Sequence, residues 1–223
     1  MKVIILSAGR GERLRPLTDE TPKPLLKAGQ FRLIEYTIKA LVKAGFNDIV
    51  INTAHLSEQF PRLLGCGEKY NAKITYSPEQ EGGLETAGGI INALPLLGNE
   101  PFMVVNGDIW TDYPFYNFKH CALKPSILGH LVFVNNPEHN QQGDFSLKSG
   151  LVNSVGDNKI TYSGIAIFHP ELFAGYEVQR LALKPLLLDA IEKQQLSGEH
   201  YLGQWSDIGT VERLQELTVQ LNG

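Results

Sequence analysis

Cysteine is almost missing from this chain: Cys66 and Cys121 are the only two in 223 residues, and no CxxC spacing joins them. That excludes a disulfide framework and a thiolate zinc site, and leaves two ordinary reduced thiols as the expectation. Long apolar runs are missing as well. None approaches the roughly 20 residues a membrane-spanning helix requires. The opening Val3–Leu6 run is cut short by Arg10, Glu12, Arg13 and Arg15, so it is too brief for the apolar part of a signal peptide. Nor is there an excess of positive charge: 20 Lys and Arg stand against 24 Asp and Glu, for a net charge of −4 and a pI near 5.9. A nucleic-acid-binding surface is normally basic overall, so phosphate chemistry here must rest on local cations in a mildly acidic background. Repeats, linkers and low-complexity stretches are absent too. A soluble cytoplasmic protein is expected, with no nucleic acid, no membrane and no obligatory protein partner.

What is present is ordinary globular composition, 43% hydrophobic and 20% charged, in a chain long enough to bury roughly 70% of its unfolded surface. One domain is the simplest reading. Residues 3–6 form a continuous apolar run, the mark of a strand buried on both faces. Residues 33–44 carry Leu33, Ile34, Ile38, Leu41 and Val42 at helical spacing, and Gly45 is placed to stop that helix. Strands are expected at 49–51, 74–76 and 102–105, a short helix from Ser57 to Leu64 with Ser57 as its cap, and another helix over 87–94. Short buried strands alternating with helices predict βαβ units in a mostly parallel sheet with helices on both faces. Beyond Asp112 the pattern turns to strands at 128–134 and 160–168. Ser149-Gly150 sits between 145–147 and 151–152 as a hairpin turn. Helices are predicted over 184–195 and 211–221, the second capped by Thr210.

The most informative segment leaves the carboxyl end of the first strand, where open α/β sheets bind ligands. It reads Ser7-Ala8-Gly9-Arg10-Gly11-Glu12-Arg13-Leu14-Arg15-Pro16-Leu17-Thr18 and continues to Thr21-Pro22-Lys23-Pro24-Leu25. Gly9 and Gly11 let the backbone approach a phosphate chain and offer it N–H groups, while Arg13, Arg15 and Lys23 supply fixed positive charge. Two better-known phosphate motifs are excluded. A P-loop needs GxxxxGK followed by Ser or Thr and opening into a helix, but Lys23 lies twelve residues after Gly11. A dinucleotide fingerprint needs a third glycine where Leu14 stands, and Pro16, Pro22 and Pro24 make this a long extended loop rather than a helix. The acidic residue such a fold wants after its second strand is absent too, since Asn52-Thr53 lies there. Loops this long inside a compact domain are uncommon and usually functional. Two aspartates stand out alongside the loop: Asp108, in Asn106-Gly107-Asp108 at the end of a buried strand, and Asp207, in Trp205-Ser206-Asp207-Ile208-Gly209-Thr210. Either alone could be a turn or cap residue. Together they match the one or two carboxylates with which magnesium is usually held beside phosphate oxygens.

The run from Ala8 to Leu25 resembles the signature of the sugar-1-phosphate nucleotidyltransferases, AGxGxRxxPLT followed by PKP, almost letter for letter. The strand ending in Gly-Asp, the later Trp-Ser-Asp-Ile-Gly-Thr segment and Gly83-Leu84-Glu85-Thr86-Ala87-Gly88 are similar to further segments of that family. Glu85 stands where its glycine is usual. The resemblance implies a single-domain, Rossmann-like three-layer sandwich with a small additional β region. The nucleotide-binding half would span about 1–112 and the sugar-binding half about 113–223. It implies that Ala8, Gly9, Gly11, Glu12, Arg13, Lys23, Glu79, Thr86 and Gly88 bind the nucleotide. Arg13, Lys23 and Asp108 would be catalytic, Asp108 and Asp207 would hold Mg2+, and Asn106, Asp144 and Gly164 would bind the sugar. The substrates would be UTP and a sugar 1-phosphate. GDIWTDY, LETAGGI and NPEHN followed by GDFSL are similar to the branch that uridylylates N-acetylmuramic acid 1-phosphate in peptidoglycan recycling. Mannose-1-phosphate guanylyl transfer is the rival within the family, and a catalytically inactive nucleotide-binding regulator the rival outside it. The latter would be expected to lack an aspartate or Lys23. The chain stops at Gly223, so no C-terminal β-helix of the kind bifunctional relatives carry is expected.

Overall fold

The computed structural model describes residues 1–119 and 122–222; Cys121 and Gly223 lie outside them. In chain order the strands are β1 (Val3–Leu6), β2 (Lys27–Ala28), β3 (Phe31–Arg32), β4 (Asp48–Thr53), β5 (Lys73–Pro78), β6 (Phe102–Asn106), β7 (Ile109–Thr111), β8 (Gly129–Val134), β9 (Ser146–Lys148), β10 (Leu151–Asn153), β11 (Thr161–Phe168), β12 (Leu196–His200) and β13 (Trp205–Asp207). The helices are α1 (Leu17–Glu20), α2 (Leu33–Lys43), α3 (Gln59–Leu64), α4 (Glu85–Leu97), α5 (Leu183–Glu192) and α6 (Val211–Asn222).

Nine strands form one sheet in the order β5-β4-β1-β6-β11-β8-β12-β10-β9. The first four are mutually parallel. β11 reverses against β6 and β8, β12 returns parallel to β8, and β10 reverses again between β12 and β9. Seven of the nine strands therefore share a direction, and the β-rich extension lies on the β8 side. Because successive side chains on a strand point to opposite faces, Val3 and Ile5 enter one core and Ile4 the other. α2 and α3 cover the first face with Ile34, Ile38, Leu41, Phe60 and Leu64. α4 and α5 cover the second with Ile90, Ile91, Leu186 and Leu187. The result is three layers.

The local predictions hold where pattern and packing agree. Ser149 and Gly150 both have positive φ, 52° and 78°, and join β9 to β10 as the two central residues of a tight hairpin. The Arg213 N–H reaches the Thr210 hydroxyl at 3.4 Å and so caps α6. Three expectations need correction. Ser57 does not cap α3, which begins at Gln59 with Glu58 in the cap position and no side-chain cap; Ser57 lies one residue too early, in a turn closed by Phe60 N–H to its carbonyl. α4 runs from Glu85 to Leu97 and tolerates Pro95 near its end. The stretch after β1 is not extended throughout: Glu12–Leu14 and Lys23–Leu25 are single 3-10 turns and Leu17–Glu20 a single α turn. Its prolines sit at or beside the starts of these turns, where a missing N–H costs nothing.

A third apolar cluster lies under this loop. Leu14, Leu26, Ala28 and Leu33 pack with Ile208, Leu214 and Leu217, so α6 supports the loop from below.

Candidate active site

β1, β4, β5 and β6 end on the same rim of the sheet, and the loops leaving those ends enclose a cleft of about 1080 Å³. This is the rim on which open α/β sheets bind ligands. Its floor is tied together by one line of hydrogen bonds. Ser7 N–H donates to Asn52 Oδ1 at 2.7 Å, Asn52 Nδ2 donates to Glu79 Oε1 at 2.6 Å, and Leu84 N–H donates to Glu79 Oε2 at 2.7 Å. Gly89 on α4 leaves room for it, since a Cβ there would come within 2.5 Å of Glu79 Oε1 and 2.7 Å of Asn52 Nδ2. Each Glu79 oxygen has one protein donor and retains a lone pair for a ligand N–H.

One wall is the glycine loop. Ala8, Gly9, Gly11, Glu12 and Arg13 all line the cleft. Nothing lies within 4 Å of where a Gly9 Cβ would be, so its backbone is open to a ligand. Gly11 turns at φ +70°, held by the Thr18 hydroxyl donating to its carbonyl at 3.0 Å. A Cβ at Gly11 would sit 3.0 Å from Lys23 Cβ, so the turn and the lysine are packed as one unit. The Lys23 side chain is only 10% exposed, yet its Nζ reaches Asp108 Oδ2 at 2.5 Å. A buried ammonium needs such a partner.

Asp108 and Asp207 are brought together by a short sheet that the sequence did not announce. β7 and β13 pair antiparallel with Asp207 opposite Ile109, and Ile208 N–H donates to the Asp108 carbonyl at 2.8 Å. Asp207 itself is held by Arg213 Nη1 at 2.5 Å and His139 Nε2 at 3.0 Å. Among the described residues no group of three or more His, Cys, Asp or Glu side chains is arranged to hold a metal. Asp108, in the turn between β6 and β7, lines the cleft, whereas Asp207, on β13, stands behind Gly209 outside the lining with its carboxylate paired to Arg213 and His139. A hard cation held by one or two carboxylates completes its shell with phosphate oxygens and water. Gly209 is flanked by two guanidinium groups: Arg213 Nη2 and Arg13 Nη2 lie 2.7 and 3.1 Å from where its Cβ would be. Arg13 makes no ion pair among the described residues.

The remaining predicted residues divide. Thr86 and Asn106 line the cleft. Gly164 does not, but it turns at φ +79° beside a register shift in β11, and a Cβ there would fall 2.5 Å from Asn106 Nδ2. It makes room for Asn106. Gly88 faces away from the cleft toward the Gln179 carbonyl, which would lie 2.1 Å from its Cβ, so it serves helix packing. Asp144 is likewise outside the cleft lining; its Oδ2 accepts from Tyr162 N–H at 2.9 Å and Asn140 Nδ2 at 3.3 Å. Sequence reasoning missed Arg180, which lines the cleft from the segment before α5, and the His139–Arg213 pair around Asp207. An isolated Arg in a polar stretch carries no local signal. Arg213, six residues after Asp207 near the start of α6, could have been found from cap geometry.

The model of the nucleotidyl transferase family matches residues 2–143 of the chain. An N-acetylmuramate alpha-1-phosphate uridylyltransferase of Neisseria meningitidis serogroup B is 50% identical over 222 residues, covering 97% of this chain and 96% of that protein. A mannose-1-phosphate guanyltransferase of Hypocrea jecorina is 35% identical over 227 residues, covering 94% of this chain but only 61% of its own length. Among solved structures, a Bacillus anthracis protein assigned as a glucose-1-phosphate thymidylyltransferase superposes with a TM-score of 0.87 at 20% identity, covering 99% of this chain and 94% of its own. HddC of Yersinia pseudotuberculosis, solved with GMP-PN, superposes with a TM-score of 0.80 at 20% identity, covering 99% of each chain. At that identity the structural likeness speaks to the fold.

Proposed function

The chain belongs to the nucleotidyl transferase family, and from that premise we propose that it transfers a uridylyl group from UTP to N-acetylmuramic acid 1-phosphate. The products are UDP-N-acetylmuramic acid and pyrophosphate. The observation that carries this reading is the 50% identity, running end to end, with a relative of that activity. The setting we infer is cytoplasmic peptidoglycan recycling, since UTP is a cytoplasmic substrate. The half of the chain up to about residue 112 takes the nucleotide and the half beyond it the sugar.

The chemistry asks little of the protein beyond placement and charge. A phosphate oxygen of the sugar 1-phosphate attacks the α-phosphorus of UTP in line. The bond from that phosphorus to the bridging oxygen breaks, and its electron pair leaves on pyrophosphate. The nucleophile is already an anion near neutral pH, so no general base is needed, and catalysis rests on positioning and electrostatics. Backbone groups of Ala8, Gly9 and Gly11 take the phosphates. Glu12 and Thr86 line the nucleotide side, Gly88 supports it through α4, and Glu79 offers its spare lone pairs to the base. Arg13 faces the triphosphate. Lys23 sits against Asp108 and supplies positive charge at the α-phosphate as charge builds there. Asn106, backed by Gly164, reaches the sugar, and Asp144 shapes the loop beside it.

Asp108 and Asp207 fit a divalent cation, with Mg2+ the natural choice for a carboxylate pair beside phosphates. Bound by these carboxylates, it would supply Lewis-acid charge that offsets the negative charge of the phosphates. Lys23, Arg213 and His139 hold the two carboxylates in position. The test is a matrix of UTP, dTTP and GTP against the 1-phosphates of N-acetylmuramic acid, N-acetylglucosamine, glucose and mannose, read by pyrophosphate release. UTP with N-acetylmuramic acid 1-phosphate should give the highest kcat/KM. Mannose 1-phosphate with GTP in first place would overturn the acceptor and leave the reaction class standing.

A further inference from the structure

We propose that Arg180 reads an acidic substituent on the sugar substrate, and that Glu85 occupies its guanidinium until that substituent arrives. The inference rests on the proposed acceptor, whose lactyl ether adds a carboxylate that N-acetylglucosamine lacks.

The wall formed by the β5–α4 connection is acidic. Glu79, Glu81 and Glu85 all line the cleft there. A sugar that brings a second anionic group into a cleft whose nucleotide wall carries three carboxylates is repelled unless a cation at that wall intervenes. Four Lys or Arg side chains line the cleft among the described residues. Arg10, Arg13 and Lys23 belong to the glycine loop, and Arg180 alone comes from the second half of the chain and faces the acidic wall.

The backbone beside Arg180 is pinned to the start of α4. Leu181 N–H donates to the Leu84 carbonyl at 2.9 Å, and the Leu181 carbonyl accepts from Ala87 and Gly88 N–H at 3.0 and 3.1 Å. The neighbouring Gln179 carbonyl fills the space that a Gly88 side chain would need. The side chain is free by contrast: it is 72% exposed, and its one hydrogen bond is from Nε to Glu85 Oε1 at 2.9 Å. Both Nη groups are without a protein partner among the described residues, and a guanidinium fork suits a carboxylate. Glu85 reaches Arg180 from a residue at φ +60°, a conformation that disfavours any residue with a Cβ. An exposed ion pair contributes little stability, so the pair does not by itself account for a glutamate kept there. A protein carboxylate resting on a guanidinium at the cleft mouth, exchanged for a substrate carboxylate, does account for it.

The experiment measures kcat and KM for the 1-phosphates of N-acetylmuramic acid and N-acetylglucosamine, with UTP, in the wild type, Arg180→Gln, Arg180→Lys and Glu85→Gln. Arg180→Gln should lose about 10- to 100-fold in kcat/KM for the acidic sugar, carried by KM, the size expected for a lost charged hydrogen bond. The N-acetylglucosamine value should move by less than about threefold, as for an exposed residue, which also shows that the variant is folded. Arg180→Lys should recover part of the loss, and Glu85→Gln should lower KM for the acidic sugar by removing its competitor. Calorimetric UTP affinity should be unchanged throughout. A wild-type preference for the acidic sugar that survives Arg180→Gln overturns this inference and leaves the acceptor intact. Weaker UTP binding with both sugars equally affected overturns it too, because Arg180 would then grip phosphate. A wild type with no preference for the acidic sugar overturns acceptor and inference together.

Discussion

Replacing Lys23 by methionine tests the electrostatic reading most directly. Methionine keeps an unbranched stem to pack beside Gly11, whose missing Cβ leaves 3.0 Å to Lys23 Cβ, and deletes only the charge. The structural cost should be small. Asp108 loses a partner at 2.5 Å, but its side chain is 35% exposed and can be rehydrated. A loss of about 1–2 kcal/mol follows, or a fall in Tm of roughly 2–8 °C for a chain of this size. The catalytic cost should be larger. A fixed donor aimed at developing charge is worth about 10²- to 10³-fold in kcat, some 2.7–4 kcal/mol. Because the unpaired Asp108 carboxylate remains, divalent-metal affinity should hold or rise, so lost activity cannot be assigned to lost metal. The assays are steady-state pyrophosphate release, calorimetric titration with UTP and with Mg2+, and thermal unfolding. A variant whose KM for UTP rises while kcat stays at the wild-type value would refute a transition-state role and make Lys23 a binding residue.

Asp108→Asn and Asp207→Asn should each lower turnover at least ~100-fold and weaken calorimetric Mg2+ binding. Near-normal turnover of both variants, or full turnover in excess EDTA, would remove the metal assignment. Gly164→Ala forces a Cβ to within 2.5 Å of Asn106 Nδ2 at φ +79°. It should cost about 1–3 kcal/mol and raise KM for the sugar while sparing UTP affinity; wild-type Tm and KM would refute Gly164 as the support of Asn106. Burial would raise the Glu35 pKa, but the hydrogen bonds from Tyr70 and Arg32 N–H, with Arg32 and Lys69 nearby, outweigh it and hold the carboxyl below its usual range. A carboxyl depressed in the folded state stabilises above its unfolded pKa, and that share is lost as pH falls through the folded pKa. Urea unfolding from pH 7 downward should therefore show a shallower acid loss in Glu35→Gln than in the wild type; identical slopes would refute the coupling.

The sequence was most legible where a feature is local. β1 reads from four apolar residues, the β9–β10 turn from Ser149-Gly150, and the loop after β1 from its glycines, cations and prolines. Partners distant in sequence were harder. Asp108 and Asp207 could be named from their flanking residues, but nothing local said that Ile109–Thr111 and Trp205–Asp207 would pair and carry them together. Asp144 shows a structural duty that its sequence context does not reveal. A polar residue between strand signals looks available to a ligand, and here one of its carboxylate oxygens also accepts from the Tyr162 N–H. Gly88 belongs to a motif read as lining the nucleotide, and the missing side chain accommodates Gln179. Motif membership singles a residue out, and packing shows whether a neighbour already uses it.

The apolar cluster beneath the glycine loop has a consequence for biosynthesis. Leu14 is made early, and Leu214, a member of the same cluster, follows after 200 residues (214 − 14). At translation rates of about 5–20 residues per second, that interval lasts roughly 10–40 s. Through all of it Leu14, Leu26 and Leu33 have no α6 to lie on, so the loop cannot hold a triphosphate in its final shape. Nucleotide affinity in nascent chains should therefore appear late and abruptly, when residues 208–217 clear the exit tunnel. Conversely, a bound triphosphate should slow the fraying of α6, since a ligand favours the state that binds it. Amide exchange on the last helix thus becomes a remote gauge of what occupies the first loop.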